Sequence, residues 1–125
     1  YINMPYIDST KFGEITIARK KYHQVLIVGD RVLERDAQKL EQLFGTTHKI
    51  GDWEIEDLLK EKPEVIIIGT GQSGVLKVDE DFFEKVRKFT PEIETIIAVT
   101  PQAIEIYNQK IKAGKRVNAL IHTTC

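Results

Sequence analysis

The densest group of chemically useful residues is Gly69-Thr70-Gly71-Gln72-Ser73-Gly74, which follows directly on the apolar run Val65-Ile66-Ile67-Ile68. The string spells G-x-G-x-x-G. As a dinucleotide fingerprint it would need a helix that begins inside the turn, so that helix amides meet the pyrophosphate, and an acidic residue after the next strand to hold the ribose. Here Val75-Leu76-Lys77-Val78 is extended in character, Asp79, Glu80 and Asp81 would repel a phosphate, and the next strand ends at Thr100. No nicotinamide, flavin or other cofactor is expected. A P-loop is excluded too, because no Lys-Ser/Thr follows the last glycine. Two readings stay open for the turn. It is a tight strand exit that needs positive φ angles, or it exposes backbone N–H groups where open α/β sheets bind ligands, with Thr70, Gln72 and Ser73 adding small polar groups.

Nucleophilic catalysis has few candidates. Ser9 and Ser73 are the only serines, and the residues around Ser73 do not spell the G-x-S-x-G elbow that exposes a strained nucleophile. Cys125 with His122 would pair a thiol with a base, but a nucleophile on the last residue is hard to hold in register with an oxyanion hole. His23, His48 and His122 lack the H-x-x-x-H or C-x-x-C spacing of a metal site, so no metal is expected. Glu54 with Glu56, and Asp79 with Asp81, read as charges favouring helix N-termini, since acid/base work needs two carboxyls in different environments facing a cleft. Arg19-Lys20-Lys21 reads as a solvated basic turn.

These residues need a scaffold. Gly13 separates Tyr6–Thr10 from the alternating Glu14–Ala18, a hairpin-like start. Val25–Val28 reads as a strand covered on both faces and central in the sheet. Between Arg31 and Phe44, Leu33, Ala37, Leu40, Leu43 and Phe44 fall near helical spacing, with Asp36 as N-cap and Gly45 as stop, which fits a helix of about eight residues. A second helix opens at Asp52, buries Ile55, Leu58 and Leu59, and ends by Pro63. A third, over 79–89, turns Phe82, Val86 and Phe89 inward with Phe83 beside them. Ile93 to Val99 reads as another buried strand, Thr100-Pro101 as an N-cap with proline at the first helical position, and Ile104, Tyr107 and Ile111 as that helix's inner face before Gly114. Val117–Ile121 is the last strand. Alternating strands and helices of these lengths predict an α/β fold with a mixed, mostly parallel sheet, helices on its faces and a β-rich N-terminal part.

A chain of 125 residues suits one domain, spanning 1–125, with one core. Tyr1, Ile2 and Asn3 precede the only methionine, Met4, so they are read as either an added segment or the trace of a processed start, and no reading rests on them. With 18 Lys+Arg against 19 Asp+Glu there is no basic surplus for nucleic acid. No apolar run approaches the roughly 20 residues that span a bilayer, so membrane insertion is not expected. A cytoplasmic protein is expected.

Three stretches carry a family resemblance: Asp8-Ser9-Thr10 with Phe12-Gly13, the strand and turn Ile66 to Val78, and the tail from Tyr107-Asn108 through Gly114 to His122-Thr123-Thr124-Cys125. In these the chain resembles the Mth938-like domain family (DUF498), a small α/β family that includes an adipogenesis-associated animal protein and, in a related branch, a mitochondrial complex I assembly factor. The resemblance implies a three-layer α/β domain with a central mixed sheet, no established enzymatic activity, and dimers among the members. Many relatives carry a tryptophan soon after the first buried strand, where this chain has Val32-Leu33-Glu34. The combined expectation is a non-enzymatic binding or interaction module with an assembly or regulatory role, whose partner is another protein, a second copy or a small molecule. Its candidate surface is the carboxyl edge of the sheet, made of Gly69, Thr70, Gly71, Gln72, Ser73, Thr100, Tyr107, Asn108 and His122. The rival is a small-molecule site or weak enzyme at the same turn.

Overall fold

The computed structural model describes residues 4–125, so the reading of Tyr1–Asn3 lies outside the described residues. Three short antiparallel strands, β1 (Ile7–Lys11), β2 (Glu14–Ile17) and β3 (Lys20–Tyr22), form a small sheet. The basic run is thus not a turn. Ala18 and Arg19, both at positive φ, make the two-residue reversal, and Lys20 and Lys21 already belong to β3.

The larger sheet has the order β5-β4-β8-β6-β7, formed by β4 (Val25–Val28), β5 (Arg31–Glu34), β6 (Val65–Thr70), β7 (Glu94–Ala98) and β8 (Val117–His122). It is mixed: β6 pairs in parallel with β7 and β8, while β4 pairs antiparallel with β5 and β8. The centre is β8, and β4 stands one place from the edge. The residues Arg31–Glu34, read within a helical pattern, are this edge strand, and the helix α1 is confined to Ala37–Phe44, capped by the Asp36 side chain on the Lys39 amide and closed by Gly45.

Period two decides which side chain faces which layer. Val25, Ile27, Val65, Ile67, Val117, Ala119 and Ile121 point to one face, where Ile7, Ile15 and Ile17 of the small sheet and Ala103 and Tyr107 of α4 (Thr100–Lys112) cover them. Leu26, Ile66, Ile68 and Leu120 point to the other, against Ile55 and Leu58 of α2 (Asp52–Leu58) and Phe82 and Val86 of α3 (Glu80–Phe89). Each such side chain taken wholly out of water contributes about 1.5–3 kcal/mol. Two expectations of burial fail at the margins. Phe89, at the end of α3, is exposed, and β7 is an edge strand whose Ile97, with the following Val99, faces solvent.

Buried polar hubs tie the layers. The Asn118 side chain accepts from the Gly29 amide and donates to the carbonyls of Leu58 and Lys60, joining the β4 exit to the end of α2. Glu54 is not a free helix-terminal charge. Its carboxylate is wholly buried and grips the Arg35 guanidinium at 2.7 and 2.9 Å, while one oxygen also accepts from the Gly51 amide. Among the described residues no helix is long and apolar enough to cross a membrane.

Candidate functional site

The carboxyl ends of β6 and β8 lie side by side, with Thr70 opposite His122. Chain continues from both, and the two continuations bind one another. Gly71 donates its amide to the Thr100 hydroxyl (2.9 Å), Gln72 to the Thr124 carbonyl (2.7 Å), and Ser73 and Val75 to the Cys125 carbonyl oxygen (2.9 and 3.1 Å). Gly74 donates back to Gly71. The Gln72 side chain reaches the Thr10 hydroxyl and the Thr123 carbonyl, and Gly13 donates to Thr123 as well. Every amide from Gly71 to Val75 is therefore taken by protein, and what fills the cradle is the tail 123–125.

Two residues make this possible. Gly71 has φ +108, and a Cβ there would lie 2.3 Å from the Cys125 backbone carbon, so only glycine lets turn and tail approach. Thr100 does not act as the N-cap of α4, a place held by Val99. Its buried hydroxyl instead accepts from Gly71 and donates to the His122 carbonyl, tying turn, helix and last strand at one point.

His122 is wholly buried. Arg35 donates to Gln24 Oε1 at 2.8 Å, which identifies that atom as the oxygen, and His122 Nδ1 lies 2.7 Å from it. Nδ1 therefore carries the hydrogen. Nε2 keeps the lone pair and accepts from the Thr124 hydroxyl at 3.0 Å. Burial above all, then the Arg35 charge and His48, push the His122 pKa down to about 4. A Thr-His pair so arranged is a poor catalyst. Its base is weak near neutrality, and the group orienting the ring is a neutral amide where a triad has a carboxylate. The His48 ring meets His122 edge-on, 4.9 Å between centroids, and among the described residues no set of His, Cys, Asp or Glu converges on a metal position.

Seven of the candidate residues thus meet at one edge: Gly69, Thr70, Gly71, Gln72, Ser73, Thr100 and His122. Tyr107 and Asn108 do not join them. They lie two helical turns along α4, where the Tyr107 hydroxyl donates to the Pro5 carbonyl and the Asn108 amide brackets Ile7, accepting from its N–H and donating to its carbonyl. Their work is to pin the small sheet to the helix. Burial raises the Tyr107 pKa, which keeps the phenol neutral.

Three apolar side chains stand exposed at this edge. Phe12, beside Gly13, is 66% exposed, Val75 42% and Val99 40%, and each adjoins the tail or the turn. Gly13 and Val75 donate to tail carbonyls, and a Cβ on Gly74 would lie 3.2 Å from Val99 Cγ1. Ser73 and Cys125 are exposed among them. Reading the sequence missed Phe12, Val75, Arg35, Gln24 and Thr124 as members of this edge, since their partners stand far away along the chain. At the opposite end of the sheet a cavity of about 540 Å³ opens between Pro63, Phe89, Ile93, Lys62, Lys115 and Arg116. Arg116 there is committed to Glu64 and the Lys62 carbonyl, and the Arg116 amide lowers the Glu64 pKa.

Residues 7–122 match the model of a family described as "Protein of unknown function (DUF498/DUF598)". Among solved structures the chain is similar to MT938, at 31% identity and a TM-score of 0.76 over 97% of this chain and 99% of that one. It is similar to conserved hypothetical protein PH1505 from Pyrococcus horikoshii, at 29% identity and a TM-score of 0.80 over 95% and 98%. A Mth938-like domain protein from Bordetella pertussis, at 16% identity and a TM-score of 0.57 over 94% and 85%, shares the fold.

Proposed function

The chain belongs to the DUF498/DUF598 family of proteins of unknown function, and from that premise we propose that it is a non-enzymatic interaction module that receives a protein partner on the carboxyl edge of its larger sheet. One observation carries the reading. The turn that would have held a small anion or a carbonyl oxygen is filled by the chain's own tail, while Phe12, Val75 and Val99 stand exposed around it. Apolar side chains that leave water only on association are what a partner surface offers. We place that role in assembly or regulation, in the cytoplasm.

The experiment is affinity capture from the source cells with the full chain and with Phe12→Ser/Val75→Ser/Val99→Ser. A partner retained by the first and lost by the second, at an unchanged melting temperature, is the expected result. A thermal-shift screen against metabolites runs beside it, and a ligand whose stabilisation disappears in Gln72→Ala or Ser73→Ala would overturn the reading in favour of a small-molecule site. A second copy is the alternative partner, favoured by the unpaired edge of β7 with Ile97 exposed. Light scattering at rising concentration separates it.

A further inference from the structure

The connection between α1 and α2 has no regular structure over 45–50, and its His48 ring packs edge-on against the buried His122. Little holds the middle of this connection. Arg35 donates to the Thr47 and Lys49 carbonyls at 3.1 and 2.7 Å, and the Lys77 amide donates to the His48 carbonyl at 3.1 Å. The same guanidinium brings Nη1 within 3.5 Å of His122 Nδ1. Its charge is matched by Glu54, both of whose oxygens accept from Arg35 and one of them also from the Gly51 amide. The other groups around the ring are neutral. Gln24, just before β4, and Thr124 of the tail hold its two nitrogens, Gly71 backs Cδ2, and Thr70 of β6 and Thr100 of α4 meet its backbone. The Cys125 thiol, next along the tail, is exposed.

We propose that residues 46–49 are an acid-released strap: a proton on His122 sets a second buried cation against Arg35, and the strap swings away to let water reach the ring. Neutral, the imidazole fits its shell. Charged, it would face a guanidinium at contact distance and share with it one carboxylate that is already engaged, which costs more than opening a loosely held segment. The strap is the part of the shell that yields. The tail is bound by the amides of Gly13, Gln72, Ser73 and Val75, and Gln24 leads into a paired strand. Among the described residues, 46–49 has one backbone bond to the rest of the fold, from Lys77, and two from the very guanidinium that the new charge repels. Burial first, then Arg35 and His48, keep His122 neutral while the shell is closed, so the proton enters with the opening. The device holds whichever partner the edge receives.

The Lys77 amide, bonded to the His48 carbonyl, reports the strap directly. Its hydrogen-exchange protection in the full chain, corrected for the intrinsic rate, is compared at pH 7 and pH 5 with that of Ile67 in β6 and of Gln72 and Ser73 against the tail. One proton, bound with a pKa of 6.5 in the open state and about 4 in the closed one, makes the expected loss at Lys77 about twentyfold. At both pH values Lys77 should exchange more readily than the other three. The loss should vanish in His122→Gln and persist in His48→Gln, which removes the other imidazole. An unchanged Lys77, a loss that survives His122→Gln, or one abolished by His48→Gln overturns the proposal. So does exchange of Lys77 in step with Ile67, which means global unfolding, or in step with Gln72 and Ser73, which means that the tail is what opens. The His122 ring signals of the parent chain give a reading that needs no variant: a ring found mostly charged at pH 5 while Lys77 keeps its protection also overturns it.

Discussion

His122 shows how far burial can move a residue from the role its type suggests. An imidazole beside a hydroxyl reads as a base, yet in this position the ring is neutral, its lone pair is occupied by Thr124, and its pKa has dropped from 6.5 to about 4. The consequence for stability has a definite sign. Between pH 6.5 and 4 the unfolded chain binds a proton at this histidine that the folded chain does not, so stability contributed by neutral His122 is present above pH 6.5 and is lost as pH falls toward 4. The slope from one proton is at most about 1.4 kcal/mol per pH unit. Thermal melts from pH 7 to 5 should show His122→Gln losing less stability over that interval than the parent chain. Equal pH dependence in both would mean that the ring takes up its proton as readily in the fold as in the unfolded chain.

At the level of elements, the turn 69–74 and the tail 123–125 act as one unit. Gly71→Ala should cost at least about 2 kcal/mol, from left-handed strain and from the collision with the Cys125 backbone. Ser73→Ala, on an exposed side chain, should stay within about 0.5 kcal/mol. Denaturant melts of the two variants check this, and comparable losses would mean that the turn is not packed on the tail. The runs Val25–Val28 and Val65–Ile68 were legible because strands covered on both faces need unbroken apolar sequence, and Val117–Ile121 departs from that only at Asn118, whose buried side chain is held by hydrogen bonds. Arg31–Glu34 was not, because an exposed edge strand carries no such demand and Leu33 happens to fall at helical spacing to Ala37 and Leu40. Glu54 misled for a related reason. Its place near a helix start looked sufficient, and the guanidinium that makes it a buried pair sits 19 residues away at Arg35, where breaking the pair would cost about 3–5 kcal/mol.

For the whole molecule, the order β5-β4-β8-β6-β7 brings the carboxyl ends of β6 and β8 together, at the end of an open sheet where ligands usually bind. The sequence could place Gly69 to Ser73, Thr100 and His122 at that end, because strand direction follows from the alternation of strands and helices. It could not tell that the tail returns to fill the turn, since that depends on backbone hydrogen bonds that any residue type can make. The amides of Gly71, Gln72, Ser73 and Val75 therefore decide the account, and residue-resolved hydrogen exchange reads them directly. Protection of all four well above unstructured rates, released together with the tail, is the predicted result. Exchange of these four at the rates of an open loop would contradict it, and would return the turn to the role of a vacant cradle for a small ligand.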